Sequence, residues 1–468
     1  MKRFLICLLV LLGGNTVVRA QSLPQLFAPI ASQNPYLGSR AAGALSDTEI
    51  GLSLGDAIDR GLQYNLGLFL STQQSRAAQA TRIKALSDLL PHLRGGVTES
   101  AQQINLAAFG FPPNDLFPSI IGPFSVFDVR ASLTQTVLDM NSIYKLHSET
   151  ARLKAEDLQS RDARDLVVLV VANLYLQTAA SESRVEAVQS QVQTAEALFK
   201  QAGDMKQAGM VAGIDVLRAQ VEMESRRQRL IGARNDVEKQ KLALARAIGL
   251  PLGQPFRLTD PIRPSPEPEI TLQQALETAY NARGDYLAAK AFVDAAESAR
   301  KAAGSKYLPS LLLQADYGDL GTTPASSHGT FSVTAGLRIP IFEGGRTRGD
   351  TLEAEAQLDT RKAQLEDLHA QIEQQVRTAF LDLAATREQV EVASRALDLA
   401  GQQMEQAQDR FAAGVADNLE VVQAQEALAV AHENYISSLF AGGMAKAMLA
   451  RATGAAEATA KQILGGKP

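Results

Sequence analysis

The chain repeats itself over a long stretch, and this limits its architecture more than any single motif. Gly209 and the run Ile214-Asp215-Val216-Leu217-Arg218-Ala219-Gln220 return 205 residues later as Gly414 and Leu419-Glu420-Val421-Val422-Gln423-Ala424-Gln425. The same offset lays Ala245-Arg246-Ala247-Ile248-Gly249 on Ala450-Arg451-Ala452-Thr453-Gly454, and no gap is needed from Val171 to Gly249. A period this long marks a duplicated half, not a solenoid of small units. Earlier landmarks repeat at an offset of 218: Leu54, Ala57, Arg82, Pro91 and Leu93 fall on Leu272, Ala275, Arg300, Pro309 and Leu311. The offset drops by 13 between Leu93 and Val171, so the first copy carries a longer loop, marked by Phe109, Phe111, Pro112, Pro113, Phe117, Pro118, Pro123 and Phe124. A duplicated, mostly helical chain suits a pseudo-symmetric wall better than a single catalytic cleft.

Hydrophobic periodicity predicts a helical segment from Leu54 to Leu90, a very long helix over 142–208, a break at Gly209 and a further helix to Ile248. Val167, Val171, Leu174, Thr178, Ser181, Val185, Val188 and Val192 alternate at spacings of four and three. Ile372, Val376, Ala379, Leu383, Thr386, Val390, Ala393 and Leu397 do the same in the second half. This is a coiled-coil repeat, and its small and polar members suit shallow contacts on both sides of a helix. A helix of some sixty-five residues spans about 100 Å, longer than a compact domain needs. The six prolines of 250–268 exclude a helix there.

Between the helices lie segments of alternating pattern. Phe127, Val129, Ala131, Leu133 and Val137 oppose Asp128, Arg130, Ser132 and Thr134, with Gln135 on the apolar side; Val333, Ala335 and Leu337 oppose Thr334, Gly336 and Arg338. Leu311, Leu313, Ala315 and Tyr317 form a third row, and a weaker strand over Leu93–Leu106 is diluted by Gly95, Gly96 and Gln103. Strands of about ten residues with one apolar face are what a membrane barrel requires, while an ordinary solvent-backed sheet shares the alternation. Val129, Ala131, Leu133, Val333, Ala335 and Leu337 are the expected lipid-facing positions. Four strands cannot close a barrel, and lipid does not tolerate an open sheet edge, so insertion demands oligomerisation.

The ends and composition narrow the classes further. Lys2 and Arg3, the apolar run from Phe4 to Gly13 and Val18-Arg19-Ala20 predict a secretory signal peptide cut after Ala20. The single cysteine, Cys7, lies inside it, so the mature chain is expected to have no disulfide, thiolate metal site or cysteine nucleophile. Loss of Lys2, Arg3 and Arg19 takes the formal charge from -5 to -8, which disfavours nucleic acid as a partner. No later stretch holds eighteen consecutive apolar residues, so membrane entry would have to be by strands. The five histidines have no metal spacing, and Gly344-Gly345-Arg346-Thr347-Arg348-Gly349 lacks the ending of a phosphate loop. We expect no enzyme and no cofactor.

These features together resemble the TolC family of outer membrane efflux proteins. They are the signal peptide, two copies of helix–hairpin–long helix–helix, and the pattern of glycine followed by Asp215-Val216-Leu217 or Glu420-Val421-Val422 before Ala-Gln. Leu54-Gly55-Asp56-Ala57-Ile58 with Asn65, Leu272-Gln273-Gln274-Ala275-Leu276, and Leu337-Arg338-Ile339-Pro340-Ile341-Phe342-Glu343-Gly344-Gly345 add to the likeness, which covers residues 50–454. The resemblance implies a mainly α fold with a small β part. It also implies a homotrimer in which each chain gives four strands to a shared outer-membrane barrel and its helices to a periplasmic tunnel. The implied function is a passive export duct served by a periplasmic adaptor and an inner-membrane pump. The implied organisation is a signal peptide 1–20, a lead-in 21–48, repeats over 49–249 and 269–454 with hairpins at about 91–139 and 309–342, a linker 250–268 and a tail 455–468 expected to fray. Gly209, Gly213, Gly414 and Asn418 match the turns at the tunnel tip, where the adaptor docks. Family tunnels close on aspartates near the second tip; Glu420 matches one of them. Gln423 replaces a second acid, and Ala416 replaces a tip arginine beside Asp417. Asp215, Arg218, Asp417, Glu420 and Gln423 are thus the candidate constriction residues. A periplasmic adaptor or a coiled-coil scaffold without a barrel is the competing reading.

Overall fold

The computed structural model describes residues 34–43, 45–110, 118–264, 270–416 and 418–458. The expected signal peptide, residues 21–33 of the lead-in, Asp417 and the tail beyond 458 lie outside the described residues. The first half runs β1 (Ile50–Leu52), α1 (Leu54–Tyr64), α2 (Leu66–Ser87), β2 (His92–Asn105), β3 (Ile120–Leu138), α3 (Met140–Gln207) and α4 (Gly213–Ile248). The second runs β4 (Phe256–Leu258), α5 (Leu272–Ala282), α6 (Gly284–Ser305), β5 (Ser310–Gly321), β6 (His328–Arg338), α7 (Arg346–Ala412) and α8 (Asn418–Ala452), the same order of elements.

Each half starts its helices with the same local device. Ser53 accepts from the Asp56 amide at 3.1 Å while the Asp56 carboxylate accepts from the Ser53 amide at 3.2 Å. Thr271 and Gln274, 218 residues on, make the same capping box at 3.3 and 3.0 Å. The helix expected over Leu54–Leu90 is two helices, broken at Asn65. Buried Asn65 donates from Nδ2 to the carbonyls of Tyr36 (2.6 Å) and Ala247 (3.3 Å) and accepts from the Gly67 amide (2.9 Å). Arg283 stands at the matching break of the second half and donates to the Ala452 carbonyl at 3.3 Å. Ala247 and Ala452 are themselves equivalent, so in both halves the residue at the break satisfies a carbonyl left open at the end of the half's last helix.

The long helices set the shape. α3 has 68 residues and α7 has 67, each about 100 Å long. Val167, Val171 and Thr178 of the expected seam are fully covered, as are Ile372 and Val376, whereas Val185, Val188, Leu383, Val390 and Leu397 are half-buried. The principal core lies midway along α3, where Val167, Val168, Val171 and Tyr175 pack with Leu54 and Ile58 of α1 and Leu244 and Ile248 of α4. Full burial of such side chains contributes about 1.5–3 kcal/mol each, which anchors the rod at its waist. α3 contains a stretch apolar enough to cross a membrane, but most of that stretch is buried against its neighbours.

Among the described residues six strands are present where four were expected. β1 and β4 form a small parallel pair, Ile50 opposite Phe256, that ties the start of one half to the Pro-rich linker. The other four form one antiparallel sheet in the order β2-β3-β5-β6. The diluted strand is complete at 14 residues, Gly95 and Gly96 included. The two hairpins are joined through β3 and β5.

The two halves also meet in a cluster of charge. Arg451 Nη2 lies 2.6 Å from Asp162 of α3 and 3.9 Å from Asp285, which pairs with Arg283 at 2.6 Å. Burial raises the Asp162 carboxyl above its ordinary value against the pull of Arg451, and burial raises Asp165 as well. Burial also acts to raise Asp285, but the Arg283 hydrogen bond and charge outweigh it and hold that carboxyl low. The start of the tail expected to fray is docked here: Ala456 is buried, and Glu457 pairs with Arg164.

Candidate functional site

The far end of the helical rod is built from two turns of identical construction. Gly209 and Gly414 adopt φ of 73° and 72°, the left-handed conformation that glycine reaches without a Cβ clash. The Met210 amide bonds back to Met205 O at 2.9 Å and the Val415 amide to Arg410 O at 3.0 Å, closing α3 and α7 with matching Schellman caps. Gly213 and Asn418 then open α4 and α8. Beneath the turns, Leu198, Met205, Met404, Phe411, Val421 and Ala424 form a local core. Asn418 is 2% exposed and donates from Nδ2 to the Asp215 carbonyl at 3.1 Å, so one buried side chain fastens the second tip to the first.

The candidate constriction residues differ in their partners. Asp215 is paired with Arg218 one turn along α4 at 3.2 Å. Its counterpart Glu420 has Gln423 in place of that arginine, and pairs instead with Arg410 on the preceding helix at 3.0 Å. The same charge balance is thus reached by two routes. Gln423 is exposed at the tip, and Asp417 lies outside the described residues. Asp215 and Glu420 are thus each one member of a carboxylate–arginine pair. Arg410 was not singled out by sequence; its only signal is a basic residue in the last turn before Gly414. Around the pairs, Met210, Ile214, Leu217, Val221, Val415 and Leu419 are exposed apolar side chains.

At the opposite end the sheet is amphipathic, with Asp319 opposite Val129 and Glu99 opposite Phe127 as the acidic exceptions on its apolar face. Directly opposed residues share a face. One face carries the rows Leu93–Leu133–Ala315–Val333, Gly95–Ala131–Tyr317–Phe331 and Gln135–Leu313–Ala335, with Leu337 opposite Leu311. The six expected lipid-facing residues all fall on it. Val333 and Leu337 are 67% and 63% exposed, a high cost for valine and leucine in water. The other face carries the row His92–Thr134–Gln314–Thr334 and a knot in which Arg130 donates to Asp128, Asp316 and Thr330. β2 and β6 each leave one edge without a strand in the sheet order. No cluster of three metal-ligating side chains occurs among the described residues.

This arrangement has known counterparts. The model of the family described as "Outer membrane efflux protein" matches residues 58–250 and 275–455, most of both halves. The toluene efflux pump outer membrane protein TtgC of Pseudomonas putida is 25% identical over 460 residues, covering 91% of this chain and 89% of the relative. The pyoverdine export outer membrane protein OpmQ of the same species is 24% identical, covering 75% of each chain. The crystal structure of the outer membrane protein VceC of Vibrio cholerae shares the fold with a TM-score of 0.74 at 19% identity, covering 86% of this chain and 96% of that one. The duplication, the rod and the amphipathic sheet agree with both matched segments: this chain belongs to the outer membrane efflux protein family, whose members form TolC-like export ducts in the outer membrane that extend into the periplasm.

Proposed function

We propose that three copies of this chain form a passive duct, with residues 49–249 and 269–454 as its two repeats, that exports cargo supplied by an inner-membrane pump through a periplasmic adaptor. The observation that carries this reading is the four-stranded sheet with one exposed apolar face and two open edges. Such a sheet is unstable alone in water or lipid, and it becomes edge-free when β6 of one chain meets β2 of the next around a three-fold axis. An adaptor or scaffold without a barrel would leave that face unexplained. The sheet face bearing Val129, Ala131, Leu133, Val333, Ala335 and Leu337 meets lipid, and the face bearing Arg130 and Thr134 lines the lumen. At the other end, Gly209, Gly213, Gly414 and Asn418 shape the tip, and the exposed apolar side chains around them meet the adaptor. The duct performs no chemistry of its own; relatives named for toluene efflux and pyoverdine export support small-molecule cargo.

In this reading the narrowest point is held by the Asp215–Arg218 and Glu420–Arg410 pairs, and Asn418 latches the two tips. Pairing leaves little net charge in the ring, so removal of one partner unmasks the other. In planar bilayers, Glu420→Ala is expected to shift ion preference toward anions by removing a negative charge beside Arg410, and Arg410→Ala to shift it toward cations by removing a positive charge beside Glu420. Opposite reversal-potential shifts, with larger conductance in both variants, are the expected result. Unchanged conductance and selectivity in both would place the constriction elsewhere.

A further inference from the structure

The first hairpin outreaches the second, and its amphipathic pattern inverts where it does so. β3 pairs with β5 only as far as Phe127 opposite Gly321, and β6 begins at His328 opposite Leu320. Beyond this level β2 and β3 continue as a two-stranded ribbon. The seven residues Ile120–Val126 project about 23 Å at 3.3 Å per residue. Below the level, the side of the sheet read as lumenal carries Asp128, Arg130, Ser132 and Thr134, and the opposite side carries Phe127, Val129, Ala131 and Leu133. Above it, strict alternation places Val126 and Phe124 on the side of Arg130, and Ser125, opposite Ala101, on the side of Val129. The register shifts between Gln102 and Ile104, after which Ile104 faces Ile121. Ile104 keeps the side of Gln102 and Phe124, two residues along the strand. Four apolar side chains thus continue the polar face, three of them on β3, beside Ser100 and Gln102 of β2. Ala101, Gln103 and Ser125 continue the apolar one.

This inversion is the reverse of what an extension in lipid would need, and a ribbon passing into external water needs no apolar side at all. The stretch Ala101–Val126 contains a single charged residue, Asp115. Among the described residues no third strand stands beside the ribbon at this level, and in a trimer the apolar side turns toward the other two copies. We propose that Ile104, Ile121, Phe124 and Val126 of one chain face the same residues of the other two copies, forming an apolar collar at the outer mouth of the duct. The inference rests on the trimeric-duct reading. The collar is a second constriction, separated from the charged pairs of the tip by the whole length of the molecule, and unlike them it favours apolar or amphipathic cargo over small ions.

The mature sequence lacks cysteine, so single replacements report cleanly. Phe124→Cys, Val126→Cys and, as the outward-facing control, Ser125→Cys are made in the full chain and assembled in cells. Extracted trimers are treated with a short bifunctional maleimide and run denatured. The collar predicts a two-chain product for Phe124→Cys and Val126→Cys and none for Ser125→Cys. Intact trimers that give no product at either position, or more product at Ser125 than at both, overturn the collar while leaving the duct reading intact. Absence of any trimer before cross-linking, in the unsubstituted chain as well, overturns the duct reading itself. A second readout separates facing from mere proximity: a charged, membrane-impermeant maleimide added to whole cells should label Ser125→Cys and spare Phe124→Cys. Equal labelling contradicts the collar.

Discussion

Leu133→Arg and Leu337→Arg are expected to abolish most outer-membrane assembly, while Thr134→Arg and Thr334→Arg are tolerated. The pairs are sequence neighbours, but they lie on opposite faces of one sheet: Leu133 shares a row with Leu93, Ala315 and Val333, and Thr134 shares one with His92, Gln314 and Thr334. Arginine on a lipid face near the bilayer midplane costs about 2–4 kcal/mol per copy, and a trimer carries three. On the lumenal face the guanidinium stays in water beside Arg130 and its acidic partners. The amount of folded protein in isolated outer membranes, assayed by heat-modifiable migration, measures the difference. Equal loss, or equal tolerance, on the two faces would reverse or remove the assigned orientation.

A second large effect is expected at the junction of the halves. Arg451→Ala leaves Asp162, a carboxylate of 14% side-chain exposure already raised by burial, without its 2.6 Å partner. Breaking a buried pair from one side costs about 3–5 kcal/mol, so the variant should unfold at much lower denaturant concentration in detergent. The pH dependence has a definite sign. The native Asp162 carboxyl binds its proton more tightly than the unfolded one, so protonation favours the folded state, and stability falls as pH rises through the raised native value. The defect of Arg451→Ala should therefore be largest at neutral pH and shrink as the solution is acidified toward that value. Adding Asp162→Asn should recover much of the loss. A defect independent of pH and unrelieved by Asp162→Asn would show that Arg451 acts through packing alone.

Features governed by local rules were legible in the sequence. The glycine turns at 209 and 414 and the strand alternation each follow from residue type and spacing, and both appear in the structure. Contacts set by tertiary geometry were not. Arg410 reaches Glu420 across a turn, in place of the intrahelical Arg218 that serves Asp215, so aligning the repeats position by position misses it. Asn65 and Arg283 perform the same capping task with different side chains, so identity gives no hint of equivalence. β1 and β4 are three residues each, too short for a period to declare itself. The inversion at Val126 is written in the sequence, but only the pairing register shows which face each side chain joins.

The central claim is that the unpartnered sheet closes by joining copies of the chain around an axis in the outer membrane. The most direct test is the mass of the detergent-extracted particle, corrected for bound detergent, from the outer-membrane fraction of cells expressing the unsubstituted protein. The account predicts one species of three chains that dissociates only on heating. A monomer recovered from the soluble periplasmic fraction, with its sheet edges open, would contradict it.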